Sequence, residues 1–252
     1  MIIDTHCHIH DSEFYLENRE EAYRESREAG VIMICVSTNI RSSHEAIEFC
    51  DTHAACYPII GIHPHDTKDN DTSEIRALVE ANREQIIGIG EIGLDYFYSH
   101  SDRKTQIRAL REQLQIAQDF NLPVSFHVRE AFEDFWPIFD EFPGTRGVLH
   151  SFTDNQANLD EAIKRGLLIG VNGISTFTKE PLQKQLFTDV ALENVLLETD
   201  APFLTPKPFR GKMNLPAYVT LVARHQAELK SVSPDDIIRA TTTNAQRVFG
   251  IQ

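Results

Sequence analysis

Short apolar runs rich in β-branched residues recur along the chain at 1–5, 31–36, 57–62, 86–92, 124–128, 147–152, 167–171 and 195–198. Their length and composition predict strands. Between them, 12–29, 72–83, 102–120 and 155–165 carry apolar residues among polar ones at helical spacing, which predicts helices. Strand and helix alternating about eight times over 252 residues predict an α/β fold, a parallel (β/α)8 barrel of the TIM type, with an open doubly wound sheet as runner-up. Gly30, Pro58, Pro123, Gly144 and Gly166 punctuate helix exits or strand entries, and no linker, low-complexity stretch or strong repeat divides the chain. One domain over 1–252 is expected.

A chain that is 41% hydrophobic and 25% charged can bury a sizeable core. Its 24 Lys and Arg against 38 Asp and Glu leave a net charge of −14, which argues against a tight nonspecific grip on polyanions. The longest uninterrupted apolar run, 31–36, falls far short of the roughly 18 residues of a membrane span, so no membrane partner is expected. The N-terminus, Met-Ile-Ile-Asp-Thr-His, has neither a basic region nor an apolar signal core, and a cytoplasmic location is expected. Cys7, Cys35, Cys50 and Cys56 show no CxxC spacing and are expected as reduced thiols.

The histidines change this picture. Of the 11, His6, His8, His10, His63, His65, His127 and His150 fall in or just after predicted strands, whereas His44, His53, His100 and His225 sit among polar residues and read as solvated surface groups. Side chains two apart on a strand face the same way, so His6 and His8 converge as a candidate metal-ligand pair. In a barrel the carboxyl ends of all strands share one rim, which would make neighbours of His6, His8, Glu91, His127, His150 and Asp200. Glu91 and Asp200 each follow an apolar run, where an unpaired carboxylate is expensive to desolvate and a cation offsets that cost.

The blocks around these residues are Asp4-Thr5-His6-Cys7-His8, Gly61-Ile62-His63-Pro64, Gly90-Glu91-Ile92-Gly93-Leu94-Asp95-Tyr96, His127-Val128-Arg129, His150-Ser151-Phe152, Glu198-Thr199-Asp200-Ala201-Pro202 and Arg210-Gly211-Lys212. In this order and over nearly the whole length, the chain resembles the TatD family of metal-dependent deoxyribonucleases, within the wider amidohydrolase-like barrels. The resemblance implies two divalent ions: one held by His6, His8 and Asp200, the second by His127 and His150, with Glu91 between them. It also implies magnesium for activity, zinc or manganese being acceptable to the same ligands. Two such ions and two carboxylates would leave about +2 in the mouth of an acidic protein, a local trap for phosphate.

The resemblance further implies hydrolysis of phosphodiester bonds in DNA, as a 3′→5′ exonuclease on single-stranded or frayed ends, with DNA ends as a partner of modest affinity. Asp200 and Glu91 are the expected catalytic carboxylates. His63 is expected at the phosphate or the leaving group, and Asp95 and Arg129 at the substrate. After the eighth strand, Thr205-Pro206-Lys207-Pro208-Phe209-Arg210-Gly211-Lys212 offers three cations and one aromatic; Lys207, Arg210 and Lys212 are expected to steer the backbone and Phe209 to stack a base. No obligate protein partner is evident. Met213 and Leu215 around Asn214, Thr153-Asp154-Asn155, and His10 where Asp is frequent depart from the family pattern and bear on substrate fit.

Two rival functions share this ligand set. The same metals would polarise the carbonyl of a small ester, amide or aminoacyl bond equally well. A noncatalytic protein with structural metals is the other; structural zinc is closed by four protein ligands, whereas His127, His150 and Glu91 make three.

Overall fold

The computed structural model describes residues 1–15 and 17–251. Its strands are β1 (Ile2–Cys7), β2 (Val31–Val36), β3 (Cys56–Ile60), β4 (Gly88–Asp95), β5 (Val124–Arg129), β6 (Gly147–Leu149), β7 (Leu168–Val171) and β8 (Val195–Leu197). They form one 8-stranded parallel sheet in the order β1 to β8. The two edges meet through a parallel bridge between Cys7 and Ala201, supported by His8 N donating to Ala201 O at 2.8 Å and Asp200 N to His6 O at 2.8 Å. The sheet is the (β/α)8 barrel that the alternation predicts.

The helices alternating with the strands are α1 (Arg19–Glu28), α2 (Ile40–Thr52), α3 (Thr72–Ala81), α4 (Arg103–Asp119), α5 (Phe132–Asp140), α6 (Gln156–Lys164), α7 (Ile174–Phe177), α8 (Pro181–Asp189), α9 (Val219–Lys230) and α10 (Pro234–Phe249). Strand periodicity divides the core. On β2, Val31, Met33 and Cys35 pack outward with helix residues such as Phe49, whereas Ile32, Ile34 and Val36 point inward to Ile3, Ile59, Val148, Leu168 and Leu196. Ala245, Val248 and Phe249 of α10 join that inner cluster. No helix among the described residues is long and apolar enough to cross a membrane. The four cysteines are free.

Several boundaries differ from the sequence expectation. The first helix begins at Arg19, not at residue 12, because the preceding segment is spent on tertiary contacts. Ser12 N and Oγ both donate to the Glu45 carboxylate, at 2.9 Å each, and the buried Tyr15 hydroxyl donates to Asn214 O at 2.7 Å. Strand β4 runs on to Asp95, which carries the second carboxylate of its block to the rim.

Candidate active site

Strand ends deliver the six expected ligands to one place. His6 lies on β1, Glu91 on β4 and His127 on β5, while His8 and His150 follow β1 and β6 directly and Asp200 lies three residues past the end of β8. His6 Nε2 is 3.3 Å from Glu91 Oε2 and 3.8 Å from Asp200 Oδ1; His8 Nε2 is 3.3 Å from that same Asp200 oxygen. His150 Nε2 stands 3.8 Å from Glu91 Oε1 and 3.7 Å from Asp200 Oδ1, and its ring stacks on His6 at 3.5 Å. His127 Nδ1 is 2.8 Å from Glu91 Oε1. Among the described residues three sets have ligand atoms close enough to share an ion: His6, His8 and Asp200; His6, Glu91 and His150; and His63, Glu91 and His127; none of them joins His127 to His150, the pair expected at the second ion.

The far nitrogen of each ring decides what its near nitrogen offers. His8 Nδ1 lies 2.7 Å from Val36 O, which accepts a proton and leaves Nε2 as a lone pair towards Asp200. His127 Nε2 is held by Asp95 Oδ2 at 2.9 Å, and His6 Nδ1 is paired with Ser125 Oγ at 3.2 Å. His150 Nδ1 faces Glu198 Oε1 at 3.0 Å, out of line for a well-aligned hydrogen bond. His63 is the opposite case. Its Nδ1 accepts from His65 N at 3.1 Å, so a neutral ring carries its proton on Nε2, 3.7 Å from Glu91 Oε1. His63 therefore presents a donor to the site where the other four can present lone pairs.

Charges divide accordingly. Burial would raise the Glu91 carboxyl, but His63, His6 and His150 hold it well below the usual range. Asp200 is likewise lowered against its burial, chiefly by His8. Asp95 is lowered by His127 and His65. Burial would lower His127 and His150, yet Asp95 and Glu91 bring the first up to about 9, and Glu198 and Glu91 bring the second up to about 10. Burial and His150 lower His6; burial and His127 push His63 well below the imidazole range.

The donor set fits divalent metal ions. Among the described residues His6 Nε2 has no aligned hydrogen-bond partner, and it is buried beside two ionised carboxylates, a position costly for a nitrogen unless a cation takes its lone pair.

The chain matches the family of TatD related DNases over residues 3–250. It is 33% identical over 254 residues to an uncharacterized metal-dependent hydrolase, YabD, of Bacillus subtilis, with all of both chains covered. The chain belongs to the TatD family. It is also 31% identical, over 99% of both chains, to the 3′-5′ ssDNA/RNA exonuclease TatD of Salmonella typhimurium. The crystal structure of the TatD homologue YjjV from Escherichia coli superposes with a TM-score of 0.92 at 26% identity, covering 100% of this chain and 98% of that one. This TatD-family chain is thus a metal-dependent hydrolase, with imidazoles and carboxylates placed to bind metal.

The remaining expected residues have divided positions. His63 and Asp95 join the cluster. Arg129 pairs with neither Asp95 nor Glu130; among the described residues it forms no ion pair, and its guanidinium lies 3.8 Å from the Phe97 ring centre. Lys207, Arg210 and Lys212 are exposed, and among the described residues they form no hydrogen bond or ion pair with the six expected ligands. Their loop is braced: Thr205 Oγ1 donates to Lys212 O at 2.6 Å, Arg210 donates to Thr205 O at 3.0 Å and stacks on Phe177 at 3.7 Å. Phe209 is not a free stacking surface, because Tyr218 stacks on it at 4.8 Å. Nor are all four outlying histidines solvated. His53 stacks on Phe49 at 3.8 Å, and His225 Nε2 pairs with Ser175 O at 2.8 Å.

Sequence reasoning gave no role to His65 or Glu198. His65 Nε2 shares Asp95 Oδ2 with His127, at 3.0 Å. Glu198 is fully buried behind His150, in space left by Gly170, whose missing Cβ would overlap the carboxylate. The signal was present for Glu198, which stands two residues before Asp200, the spacing that paired His6 with His8.

Proposed function

We propose that this chain hydrolyses phosphodiester bonds at the 3′ ends of single-stranded or frayed DNA with two divalent ions, His6, His8 and Asp200 holding one, His127 and His150 the other, and Glu91 both. The observation that carries this reading is the division of the five rim imidazoles into four that can offer lone pairs and one, His63, that offers a proton. Divalent ions in such a site supply Lewis acidity, a lowered pKa for water and charge to stabilise the departing oxygen. Magnesium suits phosphate and carboxylate, and the imidazoles also accept zinc or manganese.

Asp200 is the proposed base. Its side chain is 14% exposed against 5% for Glu91, so it can reach a water proton while Glu91 stays enclosed by histidines. The neutral His63 would donate Nε2–H to a phosphate or departing oxygen. Asp95 keeps His127 oriented, and Arg129 contacts the phosphate. Lys207, Arg210 and Lys212 act at longer range. The 3′ polarity and the strand preference lean on the relatives named as 3′-5′ ssDNA/RNA exonucleases.

The test follows 3′-labelled and 5′-labelled oligonucleotides, single-stranded and annealed, at two salt concentrations, with and without chelator and beside an aminoacyl ester. Metal-dependent stepwise shortening from the 3′ end of single strands is expected, with a shallow salt dependence of about three or four released counterions. Internal cuts in duplex, or ester hydrolysis without strand cleavage, would overturn it.

A further inference from the structure

Beyond the metal cluster, the loop after β4 presents two neighbouring aromatic rings to solvent. Phe97 is 50% and Tyr98 43% exposed, and their rings meet edge to face at 4.7 Å. Leaving two large rings in water forgoes burial that a core position would gain, so their exposure calls for an occupant. Asp95 ties them to the site. Its Oδ1 accepts from Phe97 N at 3.0 Å and Tyr98 N at 3.1 Å, while its Oδ2 takes His127 Nε2 at 2.9 Å and His65 Nε2 at 3.0 Å. One carboxylate therefore sets both the imidazole beside Glu91 and the aromatic pair. The Tyr98 ring continues the path, 5.4 Å from that of His65.

Arg129 supplies the charge. Its guanidinium lies 3.8 Å from the Phe97 ring centre and 5.0 Å from that of Tyr98. Arg129 covers one face of Phe97, yet half of that ring and much of Tyr98 stay exposed, and exposed apolar rings beside a cation with no ion pair among the described residues, in a protein of net charge −14, complement a ligand with a flat ring close to a negative group. A nucleotide has that pairing.

We propose that Phe97, Tyr98 and Arg129 form a stacking platform that takes a nucleobase of the substrate strand and the phosphate next to it. This rests on the nuclease reading above and adds where the base goes: beside β4 and β5, not on the loop after β8, whose Phe209 is covered by Tyr218.

Two single-stranded oligonucleotides test it, one ordinary and one with abasic residues at the 3′ end, together with the Phe97→Leu/Tyr98→Leu double variant and Phe97→Trp. Wild-type enzyme should favour the ordinary strand in kcat/KM by about tenfold or more, the order that base–aromatic stacking supplies. The double variant, with a wild-type circular dichroism spectrum, should bring that ratio close to one, and Phe97→Trp should keep it. A second readout needs no turnover: 2-aminopurine near the 3′ end should be quenched by chelated wild-type protein and not by the double variant. Equal wild-type kcat/KM for the two strands, or undiminished discrimination and quenching in the double variant, would overturn the platform and leave the nuclease reading standing. Cleavage of neither strand by wild-type enzyme would remove that reading and the platform with it.

Discussion

Glu198 Oε1 stands 3.0 Å from His150 Nδ1, behind the ring and away from the mouth. The same oxygen accepts from Ser151 N at 2.7 Å and from Asn172 Nδ2 at 3.3 Å, so its position is set from three sides. Glu198→Gln should keep the fold and weaken metal binding by about 10- to 100-fold, the usual loss when the group behind a ligating imidazole is changed. Metal titration against a competing chelator measures this. Wild-type affinity in the variant would mean that Glu198 does not orient His150.

Glu91→Gln should damage activity more than Arg129→Ala. The first removes a charge that lies among His6, His63, His127 and His150; the second removes an exposed cation on an aromatic ring. Elemental analysis of each variant after metal loading separates the causes. About two ions per chain are expected in wild type and Arg129→Ala, and fewer in Glu91→Gln. Near wild-type turnover in a folded Glu91→Gln protein would rule out its bridging role.

Metal uptake by the chelated protein should release protons at neutral pH. His127, raised to about 9, and His150, raised to about 10, are charged in the metal-free protein at pH 7, and each must give up a proton before its nitrogen can ligate. Apparent metal affinity should therefore rise with pH from 7 towards 9. Titration in buffers of different ionisation enthalpy counts the protons, and a release of none would contradict the raised values.

His53→Ala should leave activity unaffected and lower stability by about 1 kcal/mol. The side chain is remote from the cluster, but its Nδ1 pairs with Phe49 O at 2.8 Å while its ring stacks on Phe49. Denaturant unfolding gives the stability change. An unchanged midpoint would restore the reading of His53 as a solvated surface group.

Periodicity along the chain was sufficient for the barrel and for much of its rim. A strand shows its two faces in every second residue, and a parallel barrel places all carboxyl ends together, so His6, His8, Glu91, His127, His150 and Asp200 could be gathered from sequence alone. The blocks around them were enough to indicate the family.

Which atoms meet was settled only by tertiary structure. Local pattern says which face a residue occupies and nothing about the depth at which the neighbouring strand passes. On the β4–β5 seam, Gly93 is paired with His127, and a Cβ at Gly93 would overlap the His127 carbonyl oxygen; in that register Glu91 Oε1 stands 2.8 Å from His127 Nδ1. The proton-bearing nitrogen of His63 depends on how the chain turns to bring the backbone N–H of His65 onto it, the covering of Phe209 on Tyr218 nine residues on, and the setting of Phe97 on Arg129 from the neighbouring strand. Hydrogen bonds and ring contacts are short-ranged and directional, so the folded geometry fixes them and the pattern along the chain does not. The kinds of groups at the rim are legible along the chain, whereas packing settles which nitrogens and oxygens face one another.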